Sequence, residues 1–223
     1  MGNAGQGTDN NKEPANLTGN YDFGDFRDYA ERFTTITWDE TFYQESFNKM
    51  VESVAKYKGF YVGRYEMSLD ANGKAQSKAE VKSSTAKDSS TNRWWGLYEK
   101  ALTYSSSGVV SEMIWGCQWD AMLRWMQSNN IDVTSNTPTD TSRATTASKN
   151  TTRVTGSADS NDILNNVYDL LGNSWEWTQE ASSTDCRVGH GGNYDGDYPS
   201  NRYYSSPTDT YSRYGSRITL YVK

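Results

Sequence analysis

Apolar and polar positions follow two rhythms along this chain. In ITWDETFYQESFNKMVESVAKY (36–57) the apolar residues recur at helical spacing, and Phe42, Phe47, Met50, Val51 and Val54 are expected on one face. Thr37 or Asp39 is placed to cap the start, since a short side-chain oxygen can accept the free amides of a first turn. Gly59 is placed to end it. GFYVGRYEM (59–67) then alternates as a strand does, and the polar run 68–93 predicts a hairpin and a loop. RWWGLYEKALTYSS (93–106) returns to helical spacing, with Trp94, Trp95, Tyr98 and Leu102 as its buried stripe. From Trp119 a third helix is predicted, and Trp119, Met122, Leu123 and Met126 read as core packing. Residues 128–161 are rich in Ser, Thr, Asn and Asp and contain no aromatic residue, which predicts a long solvated insertion. The closing RITLYVK alternates and is β-branched, as a last strand should be. The pattern alone gives an α+β chain.

A length of 223 residues suits one domain preceded by a short arm, and residues 1–30 are polar and glycine-rich as an arm would be. Eight Trp and 16 Tyr supply large buried areas to a chain otherwise poor in aliphatic residues, and those two types also serve interfaces. The net charge of −6 offers no basic footprint for nucleic acid. No stretch approaches the roughly 20 apolar residues of a membrane span. The amino terminus lacks the charged-then-apolar pattern of a leader. Cys117 and Cys186 read as two buried thiols, a disulfide being the alternative, and no Cys/His cluster marks a zinc site.

The most informative stretch is 167–222. DLLGNSWEW (169–177) has the makings of a rigid corner. Gly172 and Asn173 suit a turn, and Trp175 and Trp177 share one face of an extended segment. Glu176 between them is costly to bury unless paired, with backbone amides or Arg187 as candidate partners. From Gly189 to Arg217 the chain is Tyr, Ser, Asp, Asn, Arg and Gly with almost no aliphatic residue. A rigid entry, a polar aromatic middle and a rigid exit describe a displayed surface better than a core.

GFYVGRYE, a Trp-rich helical middle, VYDLLGNSWEW, GHGGNY and GSRITLY occur in that order. Together they resemble the C-type lectin fold of the formylglycine-generating-enzyme (sulfatase-modifying factor) type over most of residues 31–223. The resemblance implies small antiparallel sheets, two flanking helices, many long loops and adjacent chain ends. It also implies a structural Ca2+ held by Asp169, Gly172, Ser174 and Glu176, although Asp169 stands where the enzymes use Asn. No other cofactor is implied. The enzymes work through a cysteine pair after the GG motif, and this chain has no Cys beyond Cys186. A thiol mechanism without its thiols is not expected. The Glu-Pro-Asn motif of sugar-binding lectins is absent as well.

The chain is also similar to variable proteins of diversity-generating retroelements, which share that fold. In these proteins, mutagenic reverse transcription rewrites AAC-type codons near the carboxyl end. Such codons reach Tyr, Ser, Asp, Asn, Gly, His, Arg and Thr but not Trp, Lys, Glu, Gln or Met, and 189–217 contains none of those five. Asn193, Tyr194, Pro199, Asn201, Arg202, Pro207, Gly215 and Arg217 read as constant punctuation. Asp195, Gly196, Asp197, Tyr198, Tyr203, Tyr204, Ser205, Ser206, Asp209, Tyr211, Ser212, Arg213 and Tyr214 read as variable ligand-binding positions, with His190 beside them. Tyrosine gives contact area with few rotors to freeze, and Ser and Gly give adaptability. The implied function is non-enzymatic binding of a protein or glycan receptor on another cell or particle, from a phage tail or a bacterial surface, with a homo-oligomer as an option. The alternatives are a formylglycine-generating-type oxidoreductase and a glycan-binding module of constant specificity.

Overall fold

A computed structural model describes residues 32–85, 93–104, 107–131, 133, 152–156, 163–183, 186–193, 199–211 and 213–223. The expected arm at 1–30, most of the insertion, and Tyr194, Asp195, Gly196, Asp197, Tyr198 and Ser212 lie outside them.

Helix α1 (Glu40–Tyr57) starts at Asp39, whose carboxylate accepts from the Phe42 amide at 2.7 Å. It ends at Lys58 rather than Gly59: Lys58 adopts a left-handed conformation (φ 65°) and its amide bonds the Val54 carbonyl. Tyr43 and Met50 are buried, with Phe42, Phe47 and Val54 packed beside them. Val51 differs from expectation and faces outward, because the buried stripe runs through Tyr43, Met50 and Ser53 and Val51 lies about a quarter-turn round the helix from it. Helix α2 (Trp94–Ala101) buries Trp94, Trp95, Leu97 and Tyr98, and helix α3 (Gly116–Ser128) buries Trp119, Met122, Leu123 and Met126. The residue pattern thus named three helices, where the resemblance implied two.

The segment read as one strand divides into β1 (Tyr61–Val62) and β2 (Met67–Leu69). The latter pairs with β3 (Ala75–Ser77) as the expected hairpin. Its turn is tied by Asp70, whose carboxylate accepts from the amides of Asn72 and Lys74. The carboxyl-terminal strand β11 (Ile218–Val222) lies between β1 and β4 (Val109–Met113), antiparallel to both. The first and the last strands of the described residues are therefore neighbours. A short hairpin of β5 (Ile163–Leu164) and β6 (Val167–Tyr168) precedes the second sheet. That sheet contains β7 (Trp175–Ser183), β8 (Cys186–His190), β9 (Arg202–Ser205) and β10 (Tyr214–Ser216), in the order β10-β7-β8-β9. The β10–β7 pair is parallel and the others antiparallel. Small, mainly antiparallel sheets with flanking helices and adjoining first and last strands form the lectin-type layout that the resemblance implied.

The insertion is not wholly solvated. Val133 and Thr155 are fully buried, and Lys82 bridges to Val154. Cys117 and Cys186 are free thiols, the first buried and the second half-buried. Among the described residues no helix is long and apolar enough to cross a membrane.

Candidate functional site

The motifs named from the sequence converge on one buried knot. Glu66, from GRYE, accepts from the Ser174 amide (3.1 Å) and hydroxyl (2.7 Å) and from the Asn173 side-chain amide. Glu176 does not pair with Arg187. Both its oxygens accept from Arg217, and two further N–H groups of Arg217 donate to the Gly63 and Tyr168 carbonyls at 2.8 Å each. Arg187 instead lies over the Trp94 ring at 4.4 Å. Burial pushes Glu176 up to about 7 against the pull of Arg217, and pushes Glu66 well above the ordinary carboxylate range, with Asp169 and Glu176 adding to it. Gly192 is forced by close approach, since a Cβ there would overlap the Leu171 carbonyl.

These partners bear directly on the implied calcium ligands. Asp169 accepts from the Gly156 amide (2.8 Å) and pairs with Arg153 (3.4 Å). Both Glu176 oxygens are taken by Arg217. The resemblance implies a Ca2+ held by the Asp169 and Glu176 carboxylates with the Gly172 and Ser174 backbone carbonyls. Protein cations and an amide already pair with both carboxylates, so these two side chains do not fit the ion.

Above this knot, the sequence from Pro199 onward divides by burial. Asn193, Pro199, Asn201, Arg202, Pro207, Gly215 and Arg217, all read as constant, are buried. Each end of the segment is anchored. The Pro199 carbonyl accepts from the Trp119 indole at 2.9 Å, Arg202 pairs with Asp120 and approaches Glu180 at 3.7 Å, and the Pro207 carbonyl accepts from the Trp94 amide. Between and beyond these anchors Tyr203, Tyr204 and Tyr211 are 43%, 53% and 53% exposed, and Ser205, Ser206, Asp209 and Arg213 are partly exposed. Thr208 and Thr210 are exposed on the same segment. The sequence reading passed over them, although they follow Pro207 in the same codon-restricted composition.

The displayed side chains rest on an aromatic platform. Tyr203 stacks on Trp175 (centroids 4.4 Å apart, planes at 12°), and Arg213 lies over both Trp175 (5.0 Å) and Tyr211 (4.9 Å). The segment also bonds to itself: Ser205 to Asp209 through side chains, and the Asp209 amide to the Ser206 carbonyl at 2.9 Å. Stacking and self-bonding remove rotor freedom before any partner arrives.

Two residues read as variable are not on display. Tyr214 is 1% exposed and stacks on Trp177 at 4.3 Å, because β10 lies directly alongside β7 and turns its ring onto the tryptophans. It belongs to the platform. His190 is fully buried at the end of β8, 5.3 Å from the Trp119 ring and 3.2 Å from Glu180. Burial, reinforced by the charge of Arg202, pulls His190 well below its usual range, so it stays neutral. Burial pushes Glu180 up to about 7 against the pull of Arg202. A closed imidazole of this kind can neither meet a ligand nor serve as a general base.

No protein-family model matches the sequence, and no curated protein matches it. Two solved structures resemble its general chain course. One is of CarF, with TM-score 0.48 and 13% identity over 74% of this chain and 87% of that one. The other is of Treponema denticola variable protein 1, with TM-score 0.41 and 16% identity over 68% of this chain and 74% of that one. At these values neither likeness assigns an activity, a ligand or a site.

Proposed function

We propose that this protein is a non-enzymatic ligand- or receptor-binding protein. Its carboxyl-terminal segment is a diversified surface carried on a constant lectin-type scaffold, as in variable proteins of diversity-generating retroelements. The observation that carries this reading is the coincidence of two independent divisions. Every described residue read from the sequence as constant punctuation is buried, while of the described residues read as variable Tyr203, Tyr204, Ser205, Ser206, Asp209, Tyr211 and Arg213 are wholly or partly exposed and only Tyr214 and His190 are buried. Tyr and Arg on a pre-ordered platform are the side chains from which binding hot spots are built. The oxidoreductase alternative draws nothing from Cys117 and Cys186, which are separate free thiols in α3 and at the start of β8.

The test is a display library randomised at Tyr203, Tyr204, Ser205, Ser206, Asp209 and Tyr211 with codons reachable from AAC. Most members should keep the wild-type melting transition, and different members should be selected by different protein or glycan baits. If most members fail to fold, the tyrosines are packing residues and the proposal is wrong.

A further inference from the structure

On a different part of the molecule, α3, β1 and the β5–β6 turn enclose an open concavity of about 570 Å³. None of its lining residues lies between 186 and 217, so diversification of the carboxyl-terminal surface leaves it unchanged. Met122 forms a buried floor. Trp125 and Tyr61 stand at it 53% and 64% exposed, the first the most exposed tryptophan and the second the most exposed tyrosine among the described residues. Arg64 lines the same space and is exposed, with no ion pair among the described residues, and Lys58 adds a second positive charge. The turn brings Asn165 and Asn166 to it, both at positive φ (49° and 65°) as a two-residue hairpin of this kind requires. Asn166 is exposed at the concavity, so its side-chain amide is open to whatever is seated there.

These groups narrow the ligand. Two cations at the site repel an ammonium ligand. A purely apolar ligand would cover Arg64 without pairing it. The lining asks for an apolar ring face for Trp125, hydroxyl or carbonyl oxygens for the exposed Asn166 amide, and a carboxylate for Arg64. We infer that this concavity is a second binding site, constant where the first is variable, and that it takes an acidic saccharide. The ring packs on Trp125, with Tyr61 beside it, and the carboxylate faces Arg64. A receptor carrying such a sugar would then be held at two places, which raises avidity without any further contact by the diversified surface.

The test uses the full chain and isothermal calorimetry with three acidic probes: trigalacturonate, a hyaluronan tetrasaccharide and sialyllactose. Each is paired with its methyl-esterified or neutral counterpart. At least one acidic probe should bind in the millimolar range or tighter. Trp125→Ala should abolish that binding, and Arg64→Gln should weaken it ~5-fold or more while leaving the neutral counterpart unaffected. Tyr204→Ala on the displayed surface should change nothing, which separates this site from the one proposed above. Thermal melts confirm that each variant is folded. The inference is overturned if no acidic probe binds, if Trp125→Ala binds as the wild type does, or if adenosine monophosphate binds more tightly than every saccharide. It is also overturned if sedimentation shows a self-association that Trp125→Ala removes, since the face would then be a contact between copies of the chain.

Discussion

Replacing Arg217 with Ala should undo the fold more thoroughly than any change on the displayed surface. The Arg217 side chain is fully buried. It gives two N–H groups to Glu176 and one each to the Gly63 and Tyr168 carbonyls, at 2.8 Å. Removing one partner of a buried ion pair costs ~3–5 kcal/mol, because the other charge is left uncompensated. Each stranded carbonyl adds ~1–3 kcal/mol. These contributions overlap, and Glu176 can shed part of the penalty by taking a proton, since burial already lifts it to about 7. A net loss on the order of 5 kcal/mol remains, comparable with the entire stability of many domains, ~5–15 kcal/mol. The assay is urea unfolding followed by tryptophan fluorescence at neutral pH. Arg217→Lys should fall between Ala and wild type, as it keeps the charge but loses the fork. Glu176→Gln combined with Arg217→Met should be more stable than Arg217→Ala alone, because no unpaired charge is left behind. A loss below ~2 kcal/mol for Arg217→Ala, or a double variant no better than the single one, would refute the view that this ion pair joins the corner to the closing strand.

Four further outcomes are expected. In urea titrations Tyr204→Ala and Tyr211→Ala should cost less than ~0.5 kcal/mol, whereas Tyr214→Ala, stacked on Trp177, should cost ~3 kcal/mol or more; equal losses would erase the distinction between display and platform. Gly192→Ala should lower the melting temperature sharply, because its methyl would overlap the Leu171 carbonyl, and an unchanged melt would contradict that close approach. Burial pushes Glu112 up from 4.5 to about 8, so the folded chain holds a proton there that the unfolded chain releases. The resulting stability is full below about pH 4.5 and is lost as pH rises through about 8, with a ceiling on the order of 4 kcal/mol. Glu112→Gln should remove that slope relative to wild type in melts between pH 5 and 8, and identical slopes would show that Glu112 stays ionised. Finally, millimolar calcium should leave the melting temperature unchanged, and a clear rise would reinstate the ligand set at 169–176.

Much of this molecule is legible in its sequence because the signals are local. Asp39 caps its own helix, the Trp119–Met126 stripe needs only helical periodicity, and Pro207 or Asn201 can be read as constant because each imposes its own backbone or hydrogen-bonding demand. The Asn165–Asn166 turn between Ile163–Leu164 and Val167–Tyr168 was open to the same kind of reading and was passed over. What the sequence could not supply was the choice of partner and of side. A buried Glu176 had to be paired, but nothing local distinguishes Arg187, a metal ion, or Arg217 at 41 residues' distance. Glu66 is joined to Ser174 across 108 residues on the same principle. Strand alternation gives two faces without saying which is covered. His190 and Tyr214 have the composition of displayed residues, yet one is closed by α3 and the other by the β10–β7 parallel pairing. Composition and caps are properties of the chain, whereas burial of a charge and covering of a face are decided by whatever the fold places opposite them.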